Sequence, residues 1–236
     1  MLAADGSVST AYRIASGRSP AMFAVLAGVG LALASGGTTP PRGRPLAAAA
    51  AGTLARACVL LLVGLLLGGL RSGVAVILAY YAIFFAATTP FLALPARVLL
   101  PLAAAWAVLA PVLSQAIRPF MPMQSFDSPS PQALADPVDL IREVAITGYY
   151  PVLAWTAYLL TGLGIGRLAL GDPRVQRAVL LTGAALAVGA WSAPWWLLHP
   201  GGVLHELEAA GAAGTPLADR AIETAVTTSF YGTTPT

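Results

Sequence analysis

The chain has 236 residues, of which 57% are hydrophobic and only 10% charged, with a formal charge of +3 and a mean hydropathy of +0.76. A water-facing surface usually carries about 25–35% charged side chains, so this composition excludes an ordinary soluble domain and turns most of the outer surface toward lipid. The net charge is too small and too scattered for nucleic acid, which needs a clustered basic face.

Apolar stretches bounded by proline, glycine and charge predict six helices, at residues 19–36, 54–70, 73–89, 96–117, 149–170 and 175–198. The first follows Arg18 and closes on Ala34-Ser35-Gly36-Gly37, the outline of a cleavable signal. A signal keeps its positive end in the cytoplasm, yet the stronger cluster here, Arg42, Arg44 and Arg56, comes after the apolar run. Further apolar stretches then follow, so the first reads as a retained helix. Only Arg71, Ser72 and Gly73 separate the second and third, which predicts a tight hairpin. Cys58 lies within the second and reads as a small apolar packing residue. Pro101 and Pro111 in the fourth and Pro194 in the sixth are expected to kink their helices without ending them.

All basic residues are arginine, and their placement sets a direction. With the N-terminus outside, the inner segments 37–56, 90–97 and 167–177 hold seven arginines against Asp172 alone. The outer segments hold six arginines against nine acidic residues, spread over longer stretches. The expected fold is therefore all-α, a polytopic transmembrane bundle of about six spans with an extracytoplasmic N-terminus. Residues 118–148 form the long outer loop, in which Asp136 as N-cap and Pro137 at the first helical position predict a short helix. Residues 199–236 read as an outer tail or the beginning of a further part.

No P-loop, H-E-x-x-H, C-x-x-C or G-x-S-x-G is present, and no metal site is expected. The alternating glycines of "GLGIGRL" (162–168) and the pair Gly64 and Gly68 predict close helix packing through small residues. Polar groups at membrane depth are the better leads, because they are costly unless paired or functional. Arg18, followed by Ser19 and Pro20, is either a snorkelling interfacial arginine or the rim of a site. Tyr80 and Tyr81 fall near the middle of the third predicted helix and need hydrogen-bond partners there, consistent with a polar cavity. Tyr149, Tyr150, Trp155 and Tyr158 open the fifth, where belt anchoring and substrate contact both fit. Trp191, Trp195 and Trp196 mark the outer interface of the sixth. Arg167 could meet an anionic cofactor or simply obey the positive-inside rule. His199 and His205 are the only histidines, and so the only general-base candidates of the usual kind.

Taken together, "ASGRSPAMFAVLAGVGLALASGG", "VAVILAYYAIFFAATTPFLALP" and "ITGYYPVLAWTAYLLTGLGIGRLAL" resemble actinobacterial members of the heparan-α-glucosaminide N-acetyltransferase-like family. These belong to the wider transmembrane acyltransferase superfamily, and the resemblance covers roughly residues 5 to 200. It implies transfer of an acyl group from a cytoplasmic thioester such as acetyl-CoA to an extracytoplasmic sugar or glycolipid acceptor. It also implies Arg18 and His199 as catalytic candidates, Ser19, Tyr80, Tyr81, Tyr150 and Trp155 at the acceptor, and Arg167 toward the donor. Family members are longer, and their candidate catalytic histidine precedes the "GRS" element. The chain therefore reads as an internal portion of such a protein, completed by further membrane helices or subunits. A non-catalytic membrane subunit and a transporter or flippase component remain the alternatives; the latter would usually show inverted repeats, and none stands out.

Overall fold

The structure, a computed structural model, describes residues 18–70, 76–121 and 128–198. Seven α-helices are found among them: α1 (Arg18–Ala34), α2 (Arg44–Gly69), α3 (Leu78–Thr88), α4 (Ala96–Ile117), α5 (Pro137–Arg142), α6 (Val152–Gly166) and α7 (Pro173–Leu198). No strand occurs among the described residues, which are all-helical. Two helices, α2 and α4, are long and apolar enough to cross a membrane by length and composition. Residues 21–170 form one compact unit, and α7 belongs to a second.

The helix ends follow local chemistry. α4 runs through Pro101 and Pro111 without a break and matches its expected range at both ends. α2 begins ten residues before the expected position 54, because Pro45 stands in its first turn and the alanine run 47–51 propagates a helix. That alanine run adds little hydropathy, which hid it from a search for apolar spans. α3 is shorter than expected: helix begins only at Leu78, after the Val76 amide donates to the Ser128 hydroxyl at 2.9 Å. A 3-10 turn, Thr89–Ala93, then carries Pro90 out of the helix. Asp136 caps α5 as expected, its carboxylate accepting from the Asp139 amide at 3.0 Å, with Pro137 next. The chain then widens into a π-helical turn, Glu143–Thr147, before α6 begins behind Pro151.

Within residues 21–170 the helices pack through small residues. A Cβ on Gly162 would collide with the Val25 carbonyl and lie 3.0 Å from the Gly28 Cα; a Cβ on Gly28 would collide with the Leu159 carbonyl. Gly166 faces Ala32 and Val29 one turn further along. α1 and α6 thus cross with backbones nearly touching, the role expected of the glycines at 162–166. Gly64 does the same for α2, since a Cβ there would strike the Ala79 amide of α3; Gly68 accommodates Pro129. Leu46 and Ala49 of α2 pack with Phe91 and Leu92 beyond the far end of α3, so α2 and α3 are antiparallel. The turn between them, including Arg71, lies outside the described residues. Trp106 of α4 ties to α6, its Nε1 donating to the Leu153 carbonyl at 2.7 Å.

The outward faces are apolar. Leu62 and Leu66 of α2, and Val108 and Val112 of α4, are all more than half exposed. Cys58 is exposed on α2 rather than packed inside, because the buried face of that helix is taken by Thr53, Ala57, Gly64 and Gly68. Hydroxyl groups turn back on their own helices: Thr53 to Ala49 (2.8 Å), Thr88 to Phe84 (2.7 Å), Thr156 to Val152 (2.6 Å) and Thr161 to Ala157 (2.8 Å). Such bonds satisfy a hydroxyl without water and suit an apolar surround.

Candidate functional site

Two buried clusters follow one another along α6 in the 21–170 unit, Leu159 belonging to the first and Leu160 to the second. The first gathers Ala24, Tyr80, Phe84, Val144, Tyr150, Trp155 and Leu159, with Tyr81, Tyr149 and Tyr158 packed against it. Tyr80 and Tyr81 stand in the first turn of α3, at its N-terminal end rather than near the middle, because that helix begins late. This brings them level with the start of α6. The Tyr150 ring meets Tyr80 edge-on at 5.4 Å and Trp155 at 5.1 Å. Trp155 lies parallel to Phe84 with centroids 6.3 Å apart. Edge-to-face and offset pairs of this kind are favoured by the ring quadrupoles and hold the cluster in one arrangement.

Two tyrosine hydroxyls have different fates there. Tyr80 is fully buried, and its oxygen accepts the Tyr149 amide at 3.2 Å. It sits where a Cβ on Gly148 would be, so glycine is required at the end of the π-helical turn. The Tyr81 hydroxyl is buried with no hydrogen-bond partner. A buried phenol usually finds a partner, and leaving one unmade costs about 1–3 kcal/mol. Such an orphaned donor is a place for a ligand oxygen.

The second cluster holds Leu31, Ala32, Leu92, Leu99, Ala103, Leu160 and Leu163. Arg167 closes it. Its Nη1 donates to the carbonyls of Ala32 (3.1 Å), Ser35 (3.3 Å) and Gly37 (2.8 Å). Its Nη2 donates to the Ser35 hydroxyl (2.9 Å) and the Leu92 carbonyl (2.7 Å). Arg167 is itself the C-cap of α6, so the C-terminal ends of α1, the 89–93 turn and α6 converge on one guanidinium. Helix ends carry a partial negative charge, which the cation neutralises; the Ala32 carbonyl also accepts the Gly37 amide at 2.9 Å. Sequence reasoning offered Arg167 an anionic cofactor or an interfacial place; the side chain instead joins backbone oxygens that no sequence pattern marks.

Beside this clamp, about 720 Å³ of open hollow lies between the end of α1 and the first half of α2, with Ser35, Thr39, Arg42, Gly52 and Arg56 in its wall. From Trp155 to Arg167 the rise along α6 is about 18 Å, which separates the aromatic end from the arginine end.

Arg18 and Ser19 open α1, in the part of the chain grouped with α7, and the Arg18 side chain lies outside the described residues, as do His199 and His205. The side chains of Trp191, Trp195 and Trp196 are likewise outside them. The hollow and the orphaned Tyr81 hydroxyl were missed as such by sequence reasoning; the spacing of Arg42 and Arg56 around Pro45 and Gly52 was the available signal for the hollow.

No family model, no characterised protein and no solved structure matches the chain.

Proposed function

We propose that the chain forms a multi-pass bundle of about six membrane spans with its N-terminus outside. We read it as an integral membrane acyltransferase, or a portion of one, of the heparan-α-glucosaminide N-acetyltransferase-like kind. It would move an acyl group from a cytoplasmic thioester, such as acetyl-CoA, to an extracytoplasmic sugar or glycolipid. The outward apolar faces of α2 and α4 and the self-bonded hydroxyls support a lipid surround.

The observation that carries the reading is the aromatic cluster. Tyr80, Tyr81, Tyr150 and Trp155, each singled out for the acceptor, come together at one end of the unit, with the Tyr81 hydroxyl buried and without a partner. Aromatic faces suit a sugar ring, and an orphaned phenol suits an acceptor hydroxyl or a developing oxyanion. The base that takes the acceptor proton is assigned to His199 or to a group supplied by further helices, with Arg18 as a donor to the developing oxyanion. Donor entry belongs to the opposite, arginine-bearing end.

The test is transfer of label. The purified chain, and any longer form that contains it, is incubated with labelled acetyl-CoA and several sugar acceptors in lipid. Label on an acceptor supports the reading; no transfer to any acceptor by the longer form sinks it. A second reading, a non-catalytic membrane subunit, is favoured by the tight closure of the cluster, with Tyr80 at 0% and Trp155 at 1% exposure. It predicts stable association with another membrane protein and no label transfer.

A further inference from the structure

The hollow beside the Arg167 clamp has no part in the acceptor chemistry, and it has the makings of a site. Arg42 and Arg56 stand in its wall and are exposed. Among the described residues neither guanidinium has an ion-pair or hydrogen-bond partner. No acidic side chain lines the space, while Leu31, Ala34, Pro40 and Pro45 make much of its surface apolar. Two unpaired guanidiniums over an apolar floor are complementary to a phosphate carried on an apolar body.

The helix supplies the rest of the complement. Pro45, Ala49, Gly52 and Arg56 line the hollow from α2 at helical spacing. The same row continues through Val59, Val63 and Leu66, which are 61%, 39% and 58% exposed. From Arg56 to the end of α2 this strip rises about 20 Å, enough for an acyl chain in one leaflet of a hydrocarbon core about 30 Å thick. Head and tail subsites are therefore continuous on one face of one helix.

The geometry points to the hollow as the headgroup site of an anionic phospholipid, with Arg42 and Arg56 on the phosphate and the acyl chain along Val59, Val63 and Leu66. This rests on the membrane part of the reading above and not on acyl transfer, so its failure and the failure of the enzymatic reading are told apart by their readouts.

The test is native mass spectrometry of the full chain in neutral detergent, with phosphatidylglycerol and phosphatidylcholine of identical acyl chains, and with coenzyme A and inorganic phosphate as soluble phosphates. Phosphatidylglycerol is expected to be retained over phosphatidylcholine. Arg42→Gln with Arg56→Gln is expected to weaken it about 25-fold, from about fivefold per arginine. Arg174→Gln with Arg177→Gln, which removes the same charge from α7, is expected to change it less than about twofold. Gly52→Leu leaves both arginines in place and fills the wall, where nothing lies within 4 Å of an added Cβ; it is expected to weaken binding also, and it keeps the test decisive should the double variant fail to fold. Equal retention of the two lipids, equal loss in the two arginine pairs, or wild-type binding by Gly52→Leu would each overturn the proposal. Displacement of the lipid by coenzyme A or phosphate alone would overturn it in favour of a water-soluble ligand.

Discussion

The Arg167 guanidinium donates to the Ser35 hydroxyl at 2.9 Å across 132 residues of sequence, and the same hydroxyl bonds back to the Leu31 carbonyl at 2.7 Å. Ser35 thus ties the last turn of α1 to the end of α6, and the carbonyls of Ala32, Ser35, Gly37 and Leu92 accept from the same cation.

Removing that cation strands the carbonyls. Arg167→Met keeps much of the length and apolar stem but leaves buried oxygens unpaired, and is expected to cost about 3–5 kcal/mol. Arg167→Lys has three donors for five acceptors and is expected to recover only part of the loss. Ser35→Ala is expected to cost about 1 kcal/mol. Thermal midpoints of the purified protein in detergent measure all three. Wild-type stability in Arg167→Met would show that the clamp contributes little.

The α1–α6 crossing makes a sharper contrast between two glycines. Gly162→Ala drives a Cβ into the Val25 carbonyl and cannot be relieved by a side-chain movement; it is expected to destabilise by about 1–3 kcal/mol. Gly30→Ala, in the same pair of helices, meets nothing within 4 Å. It is expected to stabilise by about 1 kcal/mol through helix propensity. Opposite signs in thermal midpoint support the crossing, and equal effects contradict it.

Orientation is open to labelling because Cys58 is the only cysteine. In a Cys58→Ser background, Ser130→Cys is expected to react with an impermeant maleimide on intact cells. Thr38→Cys and Gly171→Cys are expected to react only after permeabilisation. Labelling of Thr38→Cys from outside would reverse the assigned direction.

Much of the helical order was legible because apolar length is a strong signal: α4 matched at both ends, and the Asp136–Pro137 start of α5 was read from cap chemistry. The glycines at 162–166 were read correctly for the same reason, since small residues in an apolar helix have few other uses. What was not legible depended on partners distant in sequence. Tyr80 and Tyr81 were placed at mid-helix because the residues before Leu78 are apolar, and nothing local reports that Ser128 holds Val76 outside the helix. The bonds of Arg167 to backbone carbonyls were not legible, since carbonyl acceptors have no residue type. Cys58 was placed inside by its neighbours' hydropathy, which in lipid does not distinguish the buried face from the outer one.

Tyr81→Phe tests the central claim most directly, because stability and activity should part. The hydroxyl is buried without a partner, so its removal is expected to leave the thermal midpoint unchanged or raise stability by about 1 kcal/mol. Transfer of labelled acetyl groups to a sugar acceptor, measured with the longest active form in proteoliposomes, is expected to fall about a hundredfold with donor saturation unchanged. Unaltered transfer by Tyr81→Phe would contradict the placement of the acceptor at the aromatic cluster.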